Sequence, residues 1–219
     1  MAVARRSAGL TGDDLAEERR AAIMAAAEEL VAVHGFDALR LRDVSRRAGV
    51  SIGLIQYYFT TRDELLLETM RQASRHRAEQ WTRLGNGPLG AGERLAALLD
   101  GSISDRHRCV VWLETCAAST RHPELRPDVE HTQNAWRAAM RAVVDDGVAA
   151  GEFVPTIPVE DVVVLIVGLI DGLMLATATE AGDDVVQGHR IRLLHEAARR
   201  LLPPPTRRRR AGGGPRGGR

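Results

Sequence analysis

The sequence predicts an all-α protein of about nine helices. A small N-terminal three-helix unit carrying a helix-turn-helix comes first, and a larger helical domain follows. Three observations predict this. Residues Leu41 to Arg62, LRDVSRRAGVSIGLIQYYFTTR, read as two short helices across a tight glycine turn, then a capped third. Hydrophobic content is 44%, yet the period-2 alternation of half-buried strands is absent. The remaining apolar residues recur at three- and four-residue steps between Gly/Pro breaks.

The first helix is expected from about Asp13 to His34, with Ile23, Ala26, Ala27, Leu30, Val31 and His34 on its inner stripe. Thr11 with Asp14 suggests a capping box at its start, and Gly35 its end. Leu41, Val44 and Ala48 share a face of the second. Gly49 supplies the left-handed residue that closes it, and Ser51 is a preferred N-cap for the next. Over Ile52 to Tyr58, Ile55 and Tyr58 point inward, leaving Ile52, Gly53, Gln56 and Tyr57 outward. A second helix placed this way is the element that enters the DNA major groove.

A fourth helix starts at Thr61, paired with Glu64 in a second capping box, and runs through Trp81 to about Leu84. Asn86 to Gly90 is a linker. Helices then follow at about 92–103, 106–120, 127–150, 158–180 and 185–202, with Pro127 and Pro158 at first-turn positions and Pro203-Pro204-Pro205 as the final stop. The expected organisation is a flexible segment 1–12, a DNA-binding unit 13–60, a helical domain 61–202, and a disordered Arg/Gly/Pro tail 203–219.

Charge is uneven. The chain has 219 residues and a net charge of +1, with no lysine. Six arginines and no acid lie after residue 202, so the rest is net −5. Residues 36–62 nonetheless hold Arg40, Arg42, Arg46, Arg47 and Arg62 against Asp37 and Asp43, and a local basic face is what DNA needs. The start of the chain lacks the apolar core of a signal peptide. The most apolar run, Val162 to Leu175, is interrupted by Asp171 and falls short of the roughly 18–20 uncharged residues of a membrane span. Cys109 and Cys116 share a helix face about 10 Å apart by helical rise, too far to bridge. A reducing cytoplasm fits them. They are either two packed small residues or a redox or intersubunit pair. No enzyme is expected: G-x-S-x-G, H-E-x-x-H and a phosphate loop are absent, and the seven histidines lack metal-ligand spacing. No cofactor or metal is expected either.

Gly35-Phe36, Arg42-Asp43-Val44, Ala48-Gly49-Val50-Ser51, Gly53, Tyr57-Tyr58-Phe59 and Arg62-Asp63-Glu64-Leu65 resemble, in order and spacing, the N-terminal domain of the TetR (tetracycline-repressor) family of transcriptional regulators. The motif match covers about residues 15–70. Val111-Trp112-Leu113-Glu114 and Ala149-Ala150-Gly151-Glu152-Phe153 look most like the group around the choline-responsive repressor.

The resemblance implies a cytoplasmic, ligand-responsive DNA-binding regulator, most often a repressor released from a palindromic double-stranded DNA operator by a small molecule. It implies DNA contacts at Arg40, Arg42, Ser51, Ile52, Gly53, Leu54, Gln56, Tyr57, Tyr58, Thr60 and Arg62. Ile52 and Thr60 stand where the family often has lysine, Leu54 where it often has threonine, and Gln56 where tyrosine is common. Gln56 suits bidentate pairing with adenine, and Ile52 or Leu54 a thymine methyl. Leu54 and Tyr58 are equally readable as core. Trp112, Glu114, Trp136, Met140 and Asp171 are the candidate effector-site residues, Asp171 also reading as a buried interface charge. A homodimer through the helices near 158–180 and 185–202 is expected, Gly168 and Gly172 allowing close approach. The competing interpretation is a helical interaction protein whose basic tail binds nucleic acid nonspecifically.

Overall fold

The computed structural model describes residues 12–180 and 184–205. Among the described residues are nine α-helices, one 3-10 helix and no strand. They run α1 Gly12–His34, α2 Leu41–Ala48, α3 Ile52–Tyr58, α4 Arg62–Gly85, α5 Ala91–Ile103, α6 Arg106–Arg121, a 3-10 turn Pro123–Leu125, α7 Arg126–Ala149, α8 Val159–Thr179 and α9 Asp184–Leu201. Expected helix positions agree to within a residue or two, and only the 3-10 turn has no counterpart in the sequence reading. Thr11, the segment before it and the tail after Pro205 lie outside the described residues, as do the capping box and disorder expected there.

Local chemistry sets the short elements. Gly49 closes α2 with φ 69°, a conformation that costs a side-chain-bearing residue steric strain. Ser51 Oγ then accepts the Leu54 N–H at 3.1 Å, capping α3. Thr61 Oγ1 accepts the Glu64 N–H at 3.0 Å. The Glu64 carboxylate reaches past the N-cap to the Thr60 N–H at 2.7 Å, so the box is offset by one residue from its expected form. Pro127 does sit in the first turn of α7. Pro158 instead precedes the first residue of α8, where its carbonyl accepts the N–H groups of Asp161 and Val162.

Two hydrophobic cores result. The first joins Ile23, Ala27 and Val31 of α1 to Phe36, Leu39, Val44, Ile55 and Phe59, and to Leu65, Leu66 and Met70 of α4. Val111 and Ala118 of α6 enter the same core. The second gathers Trp81, the inner faces of α5 and α7, and Val162, Ile166, Ile170, Leu194 and Ala198 of α8 and α9. α4 thus runs through both cores, and no break in packing falls at Thr61. Each large aliphatic side chain buried here is worth about 1.5–3 kcal/mol relative to exposure. His34, placed on the inner stripe by periodicity, is exposed: it occupies the last turn of α1, beyond the core.

α8 corrects a second expectation. At 21 residues it outruns the apolar stretch read from sequence, and by length and composition alone it is apolar enough to cross a membrane. Its placement is that of a bundle helix with one face in the core and the other, Val164, Leu165, Leu169 and Leu175, exposed. The α7–α8 connection is pinned to the end of α9, where Val154 N–H and Thr156 N–H donate to Pro203 O at 2.9 Å and Leu201 O at 3.0 Å.

Candidate nucleic-acid interface and ligand cavity

α3 is seven residues long and meets the first core through Ile55, which is fully buried. Its outer face is therefore free. Tyr57 is 80% exposed, and Ile52, Gly53 and Gln56 are exposed beside it. Leu54 and Tyr58 are half-buried, between the two roles the sequence left open, and the Tyr58 ring meets Tyr57 edge-on at 5.1 Å. A Cβ on Gly53 would meet only Ser51 Oγ, at 3.9 Å, so nothing within the protein demands glycine there. Arg40 is exposed at the N-cap of α2. Arg42 is exposed, 3.9 Å from Asp43. It shares a groove with Ser45, Arg46 and Ile52 across α2 and α3. Thr60 is exposed after α3. Arg46 and Arg47 are engaged by Asp43 and Glu29.

Arg62, expected at a DNA phosphate, makes contacts within the protein that the sequence did not suggest. Its Nε donates to Leu39 O at 2.7 Å, and its Nη2 donates to Phe36 O and, at 2.8 Å, to Asp37 O. The guanidinium also stands over the Phe36 ring at 5.8 Å. The residue clamps the α1–α2 turn because that turn leaves three carbonyls without helical partners.

Beside the second core lies a partly open cleft, narrow inside at about 30 Å³, within about 420 Å³ of empty space that includes open solvent at its mouth. Trp112, Trp136 and Asp171, three of the candidate effector-site residues, line it. Trp81, Arg77, Thr132, Gln133 and Arg137 also line it, so all three tryptophans of the chain meet there. Trp81 and Trp136 lie 4.4 Å apart, centroid to centroid. Within the single chain Asp171 is exposed at the cavity's edge; desolvation there pushes its carboxyl up, and Arg137 opposes the shift.

Two expected cavity residues lie elsewhere. Met140 is fully buried in the second core and does not reach the cavity. Glu114 turns away from it: its carboxylate accepts the Phe36 N–H at 3.0 Å and packs against Gly35. A helix has several faces, and α6 spends the one bearing Glu114 on the α1–α2 turn. Among the described residues, no group of three or more His, Cys, Asp and Glu is placed to hold a metal ion.

Comparison with known proteins finds matches in both the N-terminal and the C-terminal helices. Residues 23–69 match the family described as bacterial regulatory proteins, tetR family, and residues 91–203 match BetI-type transcriptional repressor, C-terminal. The chain belongs to the TetR family. Its C-terminal domain is of the BetI type. The HTH-type transcriptional regulator BetI of Escherichia coli O17:K52:H18 is 34% identical over 113 residues, covering 49% of this chain and 58% of that protein. The BetI of Agrobacterium fabrum is 31% identical over 112 residues, covering 49% and 54%. The chain thus spans little more than half the length of these curated relatives. A putative TetR-family regulator from Rhodococcus sp. has 27% identity and a TM-score of 0.69, covering 84% of this chain and 98% of that one. A putative regulator from Saccharomonospora viridis, solved in complex with choline, shares the fold at 22% identity and a TM-score of 0.75, covering 85% and 98%.

Within this TetR-family scaffold, three polar residues were not legible as functional from sequence. Arg77 carries no sequence signal that separates it from the other arginines of α4. Arg94 is buried, donating to Gly85 O and pairing with Asp146 at 2.8 Å, and so ties α4, α5 and α7 together. Glu152 accepts the N–H groups of Ala91 and Gly92 at 3.3 and 2.9 Å, serving as a long-range cap for α5. Gly90 lacks a capping side chain, but no local pattern points from it to Glu152.

Proposed function

We propose that this protein is a sequence-specific, ligand-responsive transcriptional regulator in the cytoplasm, acting as a repressor that a small molecule releases from DNA. The observation that carries this is the division of α3. Ile55 anchors the helix in the core, while Ile52, Gly53, Gln56 and Tyr57 form an open face with groove-reading chemistry. Glycine at 53, which the protein's own packing does not require, suits close approach of the DNA backbone. Arg40, Arg42, Ser51 and Thr60 flank that face as backbone contacts, and Leu54 adds apolar contact at its margin.

A seven-residue helix reads few base pairs, so affinity requires two copies on a two-fold site. The exposed apolar strip of α8 supports a homodimer: Val164 is 69% exposed, with Leu165, Leu169 and Leu175 beside it and Val185 and Leu193 of α9 nearby. A Cβ on Gly168 or Gly172 would meet nothing within 4 Å among the described residues, which suits close approach of a second subunit. Two recognition helices would then address half-sites about 34–36 Å apart or a multiple of it. A molecule in the tryptophan-lined cavity can lower DNA affinity only by its differential affinity for the two forms.

Footprinting on the DNA flanking the protein's own gene tests the reading. A palindromic operator bound by a dimer is the expected result; a tight 1:1 monomer complex on one half-site, or equal binding to random duplex, overturns it. Leu165→Glu should yield monomers in sedimentation and weaken operator binding.

A further inference from the structure

Arg77 projects from α4 between two of the tryptophans. Its guanidinium carbon stands 5.6 Å from the Trp81 ring centroid and 6.0 Å from that of Trp112. The chain's own cation therefore already occupies a position over both indole faces. Its Nη1 donates to Arg108 O at 3.3 Å. Its Nη2 is buried with no hydrogen-bond partner among the described residues. Burial is the main influence on the group, drawing its pKa down from the usual arginine value, yet a guanidinium stays charged in proteins.

Among the described residues, none of the nearby acids forms an ion pair with Arg77. Asp171, across the cavity, faces Arg137. Glu28, in the adjoining cleft, lies 3.7 Å from His107. Asp105 pairs with Arg108 at 3.2 Å and caps α6. Ser74 Oγ, one turn from Arg77 on α4, is a second buried polar atom without a partner among the described residues. Ser74 lines the adjoining cleft; in the cavity itself Arg77 and Arg137 stand against Asp171 alone, an excess of positive charge, and Arg77 keeps a spare donor. Trp81, Trp136, Val167, Ile170 and Met174 offer apolar walls beyond it.

We propose that the cavity takes a small organic acid, its carboxylate held by Arg77 and its apolar or aromatic body lying against the tryptophans. A carboxylate accepts two parallel N–H bonds from a guanidinium and neutralises it where water is excluded, which a neutral or cationic ligand cannot do. A cation would have to displace Arg77 from the indoles or share the space with its charge. The inference rests on the cavity being the effector site, and it names the charge class of the effector.

The test uses the full-length protein and its tryptophan fluorescence, since all three tryptophans line the cavity. Acetate, benzoate and phenylacetate are titrated at constant ionic strength, with phenylacetamide as neutral isostere and tetramethylammonium as cation. Phenylacetate should bind saturably and at least about tenfold tighter than phenylacetamide, a difference of about 1.4 kcal/mol. Arg77→Gln should abolish that preference, and Arg77→Lys should keep part of it; circular dichroism checks that both variants fold. Equal binding of acid and amide, an acid preference that survives in Arg77→Gln, tighter binding of tetramethylammonium, or no saturable response to any of the acids overturns the proposal. Operator release is read separately. Arg77-dependent acid binding without release upholds the cavity chemistry and removes the effector reading, while release by a different compound with no acid binding does the reverse.

Discussion

The Glu114 carboxylate on α6 accepts the backbone N–H of Phe36 at 3.0 Å, joining the helix that carries Trp112 to the turn that positions α2 and α3. The junction is reinforced by Arg121, which pairs with Asp37 at 2.9 Å, and by the Phe36 and His122 rings at 4.9 Å. A shift of α6 therefore bears on the recognition unit directly, alongside the route through α4. Glu114→Ala leaves a partly buried N–H without its acceptor, at a cost of about 1–3 kcal/mol. Melting should fall by about 2–4 °C per kcal/mol, and exchange of the Phe36 amide should accelerate. Unchanged melting and exchange would show that the contact carries no energy.

Arg62→Ala should destabilise the protein by about 2–3 kcal/mol, because three carbonyls of the α1–α2 turn lose a charged donor. Operator binding should weaken while its salt dependence keeps its slope. A slope lowered by about one phosphate's worth would instead place Arg62 on the DNA backbone.

Tyr57 and Gln56 should separate affinity from specificity. Both are exposed on α3, so Tyr57→Phe and Gln56→Ala should each change stability by less than about 0.5 kcal/mol. Tyr57→Phe should weaken binding to all duplexes alike. Gln56→Ala should lose about 1–3 kcal/mol of discrimination at one base position. Equal losses on operator and random DNA for Gln56→Ala would reduce it to a backbone contact.

Gly85→Ala should be among the more damaging single changes in the second core. A Cβ there would lie 2.9 Å from the Ala139 Cβ and 3.0 Å from its backbone, where α4 and α7 pack closest. Backbone cannot rotate aside as a side-chain tip can, so a loss of about 1–3 kcal/mol is expected in denaturant unfolding. A neutral result would mean that the two helices separate easily.

Cys116 should be a slow thiol. Burial, with Asp171 adding to it, pushes its pKa from 9.0 to about 11, and burial likewise raises that of Cys109. Between those two values the folded state holds a proton that the unfolded state has lost, so the Cys116 contribution to stability falls as pH rises through that window. Alkylation at neutral pH should proceed far more slowly than for a free thiol, reaching comparable rates only in denaturant. Rapid labelling of the native protein would point to an activated, redox-responsive cysteine.

Much of the recognition unit was legible because its determinants are local. Gly49, Ser51 and Thr61 act on backbone groups within five residues, and the spacing of Val44, Ile55 and Phe59 sets which faces turn inward. Periodicity similarly placed the later helices. It failed at His34 because it reports which face a residue is on and not where the core ends. It failed at Met140 and Glu114 because it cannot say what packs opposite that face.

The sequence by itself determined the helices, the local caps at Gly49, Ser51 and Thr61 and the helix-turn-helix, which follow from short-range steric and hydrogen-bonding rules, while its motifs carried the resemblance to the family. Only the tertiary structure decided which polar groups meet. Arg62 was drawn to orphaned carbonyls on a turn more than twenty residues earlier. Trp81, Trp112 and Trp136 were brought from three helices to one cavity. Arg77 was left among them with a donor unspent. A side chain's partner depends on which distant backbone or ring the packed cores bring within about 3–6 Å, a distance that the order of residues along the chain does not encode.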